Sequence, residues 1–383
     1  MKRRNDRNIV MLLSNPFKPD LRVYREAKSL VDLGYNVTIV AWDRECRYRT
    51  REDISGVQVR RIRIQTSYGT GLWKIRKLLL YWLSAARVAK NERFKVIHCH
   101  DLDTLIVGVF LRVFYKKLLI YDSHEKFSLM VLMNSPKLVS FFVEMFERLM
   151  IRFVDAIIVA STKLGNELKA RVGDKVTVVG NWQENVPLNR RQIASIRKRY
   201  GKGYKLLIAY IGFLDKSREL IPPIEAVKSI PEVKFIICGE GVQKSRIQEV
   251  CADADNVSYL GLIPLSMVPY YTAAADVICY ILNDSQPISA YQAPNSLGFA
   301  LIRGRAVLGS NHGEIGPIVD RYRCGILVKD NSPDSIAAAI SELLNKRVLH
   351  CYQKNALAAG QKYCNWTIMV QRLRKLYQNL LPG

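Results

Sequence analysis

The sequence predicts an α/β protein of two Rossmann-like domains in tandem, each a doubly wound parallel sheet. Three observations carry that expectation. Apolar runs of strand length alternate with helix-period segments along nearly all 383 residues, the pattern of repeated βαβ units. A polar, strongly basic stretch over residues 180–205 interrupts the alternation and reads as an interdomain linker with a first short helix. The length suffices for two domains that each bury a core, and a hydrophobic content of 49% is that of a globular chain.

The elements follow in order. Asn8 to Leu13 is a strand, and residues 20–33 place Leu21, Tyr24, Ala27, Leu30 and Val31 on one helical face, closed by Gly34. Strands 36–41 and 57–64, helix 72–90, strand 95–98, helix 105–114, and strands 118–121 and 175–179 fill the first domain, expected over residues 1–183. The second domain, residues 184–365, continues with strand 206–211, helix 220–229, strand 234–238, helix 242–252, strand 257–260 and helix 267–274. Strand 277–280, a helix opening at Asn295, strands 306–309 and 325–328, and helix 332–345 complete it. Two such sheets leave a cleft facing the carboxyl ends of their strands, where open α/β folds bind ligands. Residues 276–304 fit that place: a β-branched strand, a loop rich in Asn, Ser and Pro, then Pro294-Asn295-Ser296 opening a helix whose free amides suit an anion.

The net charge of +24 narrows the partners. Between Arg44 and Lys95, fourteen Lys and Arg residues oppose Glu45, Glu52, Asp53 and Glu92. Nucleic acid, anionic lipid headgroups or a phosphorylated substrate would complement such a face. No nucleic-acid-binding module accompanies it, so nucleic acid is not expected as a partner. Helix 72–90 carries Trp73, Leu79, Leu80, Trp82 and Leu83 beside Lys74, Arg76, Lys77, Arg87 and Lys90, and residues 127–153 are apolar, aromatic and Met-rich. Both stretches suit an anionic membrane surface. Spanning is not expected, because the charge-free window after Asp255 is broken by Pro264 and Pro269. MKRRNDRN leads into a strand and not into a secretory signal, and the eight cysteines are scattered without a C-x-x-C pair. The expected location is cytoplasmic and peripheral, at the inner face of the cell membrane.

Several motifs, in order, resemble family-4 glycosyltransferases of the GT-B fold. They are VIHCHD at 96–101, YDSHE at 121–125, VDAIIVAS at 154–161, VVGNW at 178–182, YIGFLDKSREL at 210–220, CGEG at 238–241, AADVICY at 274–280, APNSLGFALIRG at 293–304 and GILV at 325–328. The segment 366–383 resembles the crossover helix that returns to the first domain in that family. The resemblance implies transfer of a sugar from a UDP- or GDP-linked donor, bound by the second domain, to a glycan or lipid-linked acceptor bound by the first. It further implies retained anomeric configuration, no metal and no cofactor beyond the nucleotide sugar.

On the acceptor side the resemblance points to His124 with Glu125 beside it, and to His100 and Asp101 at the end of a neighbouring strand. On the donor side it points to Gly212, Lys216 or Arg218 as a phosphate-binding cation, Glu240, Asn295 and Ser296. His98 reads as a packed residue, and the H-x-H spacing lacks a third ligand for a metal. Two acidic residues usual in the family fall at Tyr291 and Phe299 here, neither of which accepts a hydrogen bond as a carboxylate would. Glu314 or Asp284 is the candidate replacement. The loss opens two alternatives: a non-catalytic binding protein with a degenerate donor site, or a nucleotide-sugar epimerase of the same architecture.

Overall fold

The computed structural model describes residues 7–18, 20–66 and 72–381. It divides into two compact units, one of residues 1–180 with 370–383, the other of residues 181–369.

Buried apolar runs become the strands of the first unit. They are β1 (Asn8–Leu13), β2 (Asn36–Asp43), β3 (Arg51–Ile54), β4 (Val57–Arg63), β5 (Val96–His100), β6 (Leu118–Ser123), β7 (Ala156–Val159) and β8 (Val176–Val178). Among the described residues they form an eight-stranded sheet ordered β3-β4-β2-β1-β5-β6-β7-β8. It is parallel except for β3, which pairs antiparallel with β4. The sequence reading missed β3, whose Arg51-Glu52-Asp53 has no apolar period to betray it. The winding direction reverses between β1 and β5, so the loops after these two strands part and leave a crevice.

The helices of this unit are α1 (Leu21–Asp32), α2 (Leu72–Asn91), α3 (Leu102–Tyr115), α4 (Phe127–Leu132), α5 (Lys137–Met150) and α6 (Thr162–Val172). The side chains of Trp73 and Lys74, singled out above, lie outside the described residues. Helix α1 overturns one expectation. Its buried face carries Arg22, Val23, Arg25, Glu26, Ala27, Ser29 and Leu30, whereas Leu21, Tyr24 and Val31 are only half-buried. A polar site beneath the helix has rotated the face that apolar periodicity alone would bury.

The second unit holds α7 (Arg190–Gly201), β9 (Leu206–Ile211), α8 (Ile221–Lys228), β10 (Val233–Cys238), α9 (Lys244–Cys251), β11 (Val257–Gly261) and α10 (Val268–Ala274). It continues with β12 (Val277–Tyr280), α11 (Asn295–Ile302), β13 (Ala306–Gly309), α12 (Ile315–Tyr322), β14 (Gly325–Leu327), α13 (Pro333–Leu343) and α14 (Lys346–Lys362). Its sheet is ordered β11-β10-β9-β12-β13-β14, all parallel, and reverses between β9 and β12. The last helix, α15 (Trp366–Leu380), begins in the second unit and from Val370 belongs to the first.

Much of the basic run is consumed inside the first unit. Arg61 is buried and binds Glu52 (2.7 Å) and the Pro16 carbonyl (2.8 Å), Arg60 binds Glu92 (3.1 Å), and Arg44 lies 3.8 Å over the Trp42 ring. These cations are structural. The surplus is what remains beyond them.

Candidate active site

In the first unit the crevice beside β1 and β5 gathers polar groups from four elements. His98 and His100 alternate with Cys99 on β5, so both rings face the same side of the sheet and stack with centroids 4.4 Å apart. Asp122 faces the same side from β6, one strand over, in register with His100. Arg22 and Glu26, one turn apart on α1, are laid against them.

Asp122 is the hub. Arg22 grips its carboxylate with Nη2 and Nε at 2.8 and 3.2 Å, while His100 Nδ1 and His124 Nε2 approach Oδ2 at 3.1 and 3.0 Å. Burial alone would raise the Asp122 carboxyl, but Arg22 and His124 outweigh it and hold it well below the usual carboxylate range. His124 also has Nδ1 at 3.4 Å from Asp101. Burial opposes its charge, yet Asp101 and Asp122 together push the imidazole up to about 10, so it is a fixed cation at neutral pH. Burial lowers His100 and keeps it neutral, donating from Nδ1 to Asp122. Burial raises the Asp101 carboxyl to about 7, with His124 pulling the other way. Asp101 is also held at φ 63°, a strained setting for a residue with a Cβ, at the point where β5 gives way to α3.

Deeper in, burial and the neighbouring Asp122 raise Glu26 to about 8, although Arg22 lies 3.2 Å away. The Arg22 charge is committed to Asp122, and Glu26 is a neutral acid. His98 is neutral through burial, its Nδ1 2.9 Å from the hydroxyl of Tyr377 on α15.

Glu26, His98, His100 and Asp122 offer ligand atoms within 4.8 Å of one another, a set the sequence did not suggest beyond the H-x-H pair. The Arg22 guanidinium already holds two of the four, Asp122 at 2.8 Å and Glu26 at 3.2 Å, and Glu26 would have to lose its proton to ligate. The chemistry of the donors fits a guanidinium better than a divalent ion.

Of the acceptor-side candidates, the structure brings His100, Asp101 and His124 together. It sets the carboxylates of Asp101 and Asp122 against His124, and the charge of Glu125 raises Asp101. Arg22, Glu26, Asp122 and Tyr377 were missed. Asp122 stood in plain sight in YDSHE, and the spacing of Arg22 and Glu26 by four was the available signal for a pair on one helical face.

In the second unit the loops after β9 and β12 meet where the sheet reverses, and Arg218 forms an isolated bridge with Leu282 there. Arg218 is buried, not poised in solvent: it binds Ser217 Oγ (2.6 Å) and Gln292 Oε1 (3.0 Å) and lies 5.0 Å over the Tyr280 ring. Lys216 is exposed. Gly212 donates its amide to the Cys238 carbonyl (3.0 Å). Glu240 is held by Lys244 at 2.9 Å. Asn295 starts α11, its Oδ1 accepting from Gln183 (3.1 Å), and the buried Ser296 Oγ beside it has no hydrogen-bond partner in the structure. Phe299 is buried in α11 and Tyr291 is half-buried. Glu314 is buried at the start of α12, its amide donating to the Gln292 carbonyl at 2.9 Å, which sets it against the residue following Tyr291. Asp284 is exposed, 3.3 Å from His312.

Comparison with known proteins agrees with this anatomy. Residues 20–182 match the family described as glycosyl transferase 4-like domain, and residues 205–346 match glycosyl transferases group 1. An uncharacterized glycosyltransferase of Methanocaldococcus jannaschii is 24% identical over 186 residues, a match covering 46% of this chain and 46% of that protein. Sucrose-phosphate synthase from Thermosynechococcus elongatus superposes with a TM-score of 0.83 at 18% identity, covering 98% of this chain and 100% of its own. HepE of Anabaena, solved with UDP and glucose, gives 0.75 at 16% identity over 97% of this chain and 99% of its own. With both halves matched and the two-sheet architecture shared, the chain belongs to the family-4-like glycosyltransferases of the GT-B fold.

Proposed function

We propose that this protein moves a sugar from a UDP- or GDP-linked donor, held by the second unit, to a glycan or lipid-linked acceptor held by the first, with retention and without a metal. The observation that carries the reading is the preorganised His100, Asp122, His124 and Asp101 cluster at the carboxyl ends of β5 and β6. A fixed imidazolium beside a carboxyl of pKa about 7 can orient sugar hydroxyls and accept the acceptor's proton as the new glycosidic bond forms. The bond from the anomeric carbon to the diphosphate breaks in the same event. Ser296 at the amino end of α11 would then face the leaving phosphate, and Arg218, already tied to Gln292, would stiffen the loop instead of meeting the phosphate. Glu314 is the best-placed substitute for the acidic pair. HepE, solved with UDP-glucose, supports a uridine donor.

A membrane-facing first unit fits the same reading. Helix α5 exposes Leu138, Phe141, Phe142, Met145 and Leu149 along one stripe, and α2 exposes Ile75, Leu79 and Leu83. Among the described residues no helix is long and apolar enough to cross a membrane.

The test is calorimetric titration of UDP, GDP and their sugars into the purified protein, with Ser296→Ala as control, followed by anomeric analysis of the product with and without EDTA. Micromolar binding weakened in the variant supports the transferase. A folded protein that binds none of them favours the non-catalytic reading, which the residues Tyr291 and Phe299 already motivate.

A further inference from the structure

At the opposite, amino-terminal edge of the first sheet lies a pocket of about 360 Å³ lined by Lys90, Arg93, Phe94, Lys95, Leu111, Tyr115 and Lys117. Lys95 immediately precedes β5 and Lys117 immediately precedes β6, while Lys90 and Tyr115 close α2 and α3. At about 3.3 Å per residue, β5 separates this pocket from His100 by roughly 16 Å.

Four cations converge here, and the lining contains no carboxylate. Two of them are positioned by neutral partners: Lys117 Nζ donates to the Phe94 carbonyl at 2.7 Å and lies 5.0 Å over the Phe94 ring, and Lys90 lies 5.1 Å over Tyr115. The nearby acids are spent elsewhere, Glu92 on Arg60 and Asp155 on Arg112. Burial lowers the Lys117 ammonium and the charge of Lys95 lowers it further, so the pocket already holds like charges against one another. The carboxyl ends of α2 and α3 supply about half a negative charge each, which leaves most of four positive charges uncompensated.

We propose that this pocket binds the phosphate group of a mono- or diester, with Phe94, Leu111 and Tyr115 receiving the organic part next to it. Three N–H-rich ammonium groups and a guanidinium match a phosphate's charge and acceptors. The adjoining ends of α2 and α3 are where Arg87, Phe110, Val113 and Phe114 reach solvent, so a headgroup and a soluble phosphate ester are the two sources of this chemistry. The site lies apart from the histidine cluster and does not depend on glycosyl transfer.

Two probes test it on the full chain: calorimetric titration with inorganic phosphate, and flotation with phosphatidylcholine vesicles with or without phosphatidic acid. Lys90→Gln/Lys95→Gln removes two exposed charges and should weaken phosphate-dependent binding about tenfold or more, while Lys90→Arg/Lys95→Arg should keep it. Binding to phosphatidic acid vesicles that inorganic phosphate displaces assigns the site to a lipid headgroup; phosphate binding without vesicle binding assigns it to a soluble ester. Either source is supported only if the Gln variant loses it. The proposal is overturned if the wild-type chain binds neither probe, or if the Gln variant binds both as the wild type does.

Discussion

Asp101 titrates near neutrality because burial lifts its carboxyl to about 7. If it accepts the acceptor's proton, activity requires the carboxylate, so kcat/KM should rise with pH through about 7. Asp101→Asn should remove that limb and cost on the order of 10² to 10⁴ in kcat, the usual worth of a positioned base; an unchanged profile in the variant would exclude the role. His124 makes a separate, thermodynamic prediction. Its folded pKa of about 10 lies above its unfolded value, so its stabilisation is fully present below about pH 6.5 and is lost as pH rises towards 10. Glu26 acts in the same direction, but its loss is complete once pH passes about 8. Between pH 8 and 10 the wild-type Tm should therefore fall more steeply than that of His124→Gln, and parallel curves would contradict the assignment. His100, Asp101 and His124 were singled out in the sequence through the resemblance of the VIHCHD and YDSHE motifs, which close or follow apolar strands. Arg22 and Glu26 were not, because a charged pair on an amphipathic helix ordinarily faces water.

The loop after β10 shows what a single element demands. Gly239 and Gly241 adopt φ 155° and 158°, and a Cβ on Gly239 would stand 1.8 Å from the Gly212 carbonyl oxygen, one on Gly241 2.4 Å from that of Leu214. The two glycines let the β10 loop lie flush against the β9 loop, whose Gly212 amide bonds Cys238 and whose Leu214 amide bonds the Glu240 carbonyl. Gly239→Ala should thus displace the β9 loop and destabilise the second unit by about 2–4 kcal/mol, combining backbone strain with a direct clash. Weakened nucleotide binding with intact first-unit unfolding is the expected signature, and a variant that binds as well as wild type would count against it. The sequence placed nearly every strand of both sheets because burial on two faces writes them as apolar runs. It misjudged α1 and missed β3, whose positions are set by charge, and it assigned no strand to β7, whose buried Ala156–Val159 run entered only as part of a motif.

The order of residues along the chain does not follow the division into units. Residues 370–383 come after the whole second unit yet complete the first. In α15, Leu373, Leu376 and Tyr377 are buried, Tyr377 packs 5.5 Å from Tyr35 and reaches His98, and Arg372 donates to the Val178 carbonyl at 2.7 Å. Burying three large side chains is worth about 1.5–3 kcal/mol each, so their sum approaches the whole stability of an ordinary domain. Ending the chain at Met369 should accordingly unfold the first unit at a much lower temperature while leaving the second near its own Tm, and calorimetry should resolve two transitions. Tyr377→Phe separates packing from hydrogen bonding: it keeps the ring against Tyr35 and loses only the bond to His98, at a cost of about 1 kcal/mol. If the shortened chain still melts in one transition at the wild-type temperature, α15 is not part of the first unit's core.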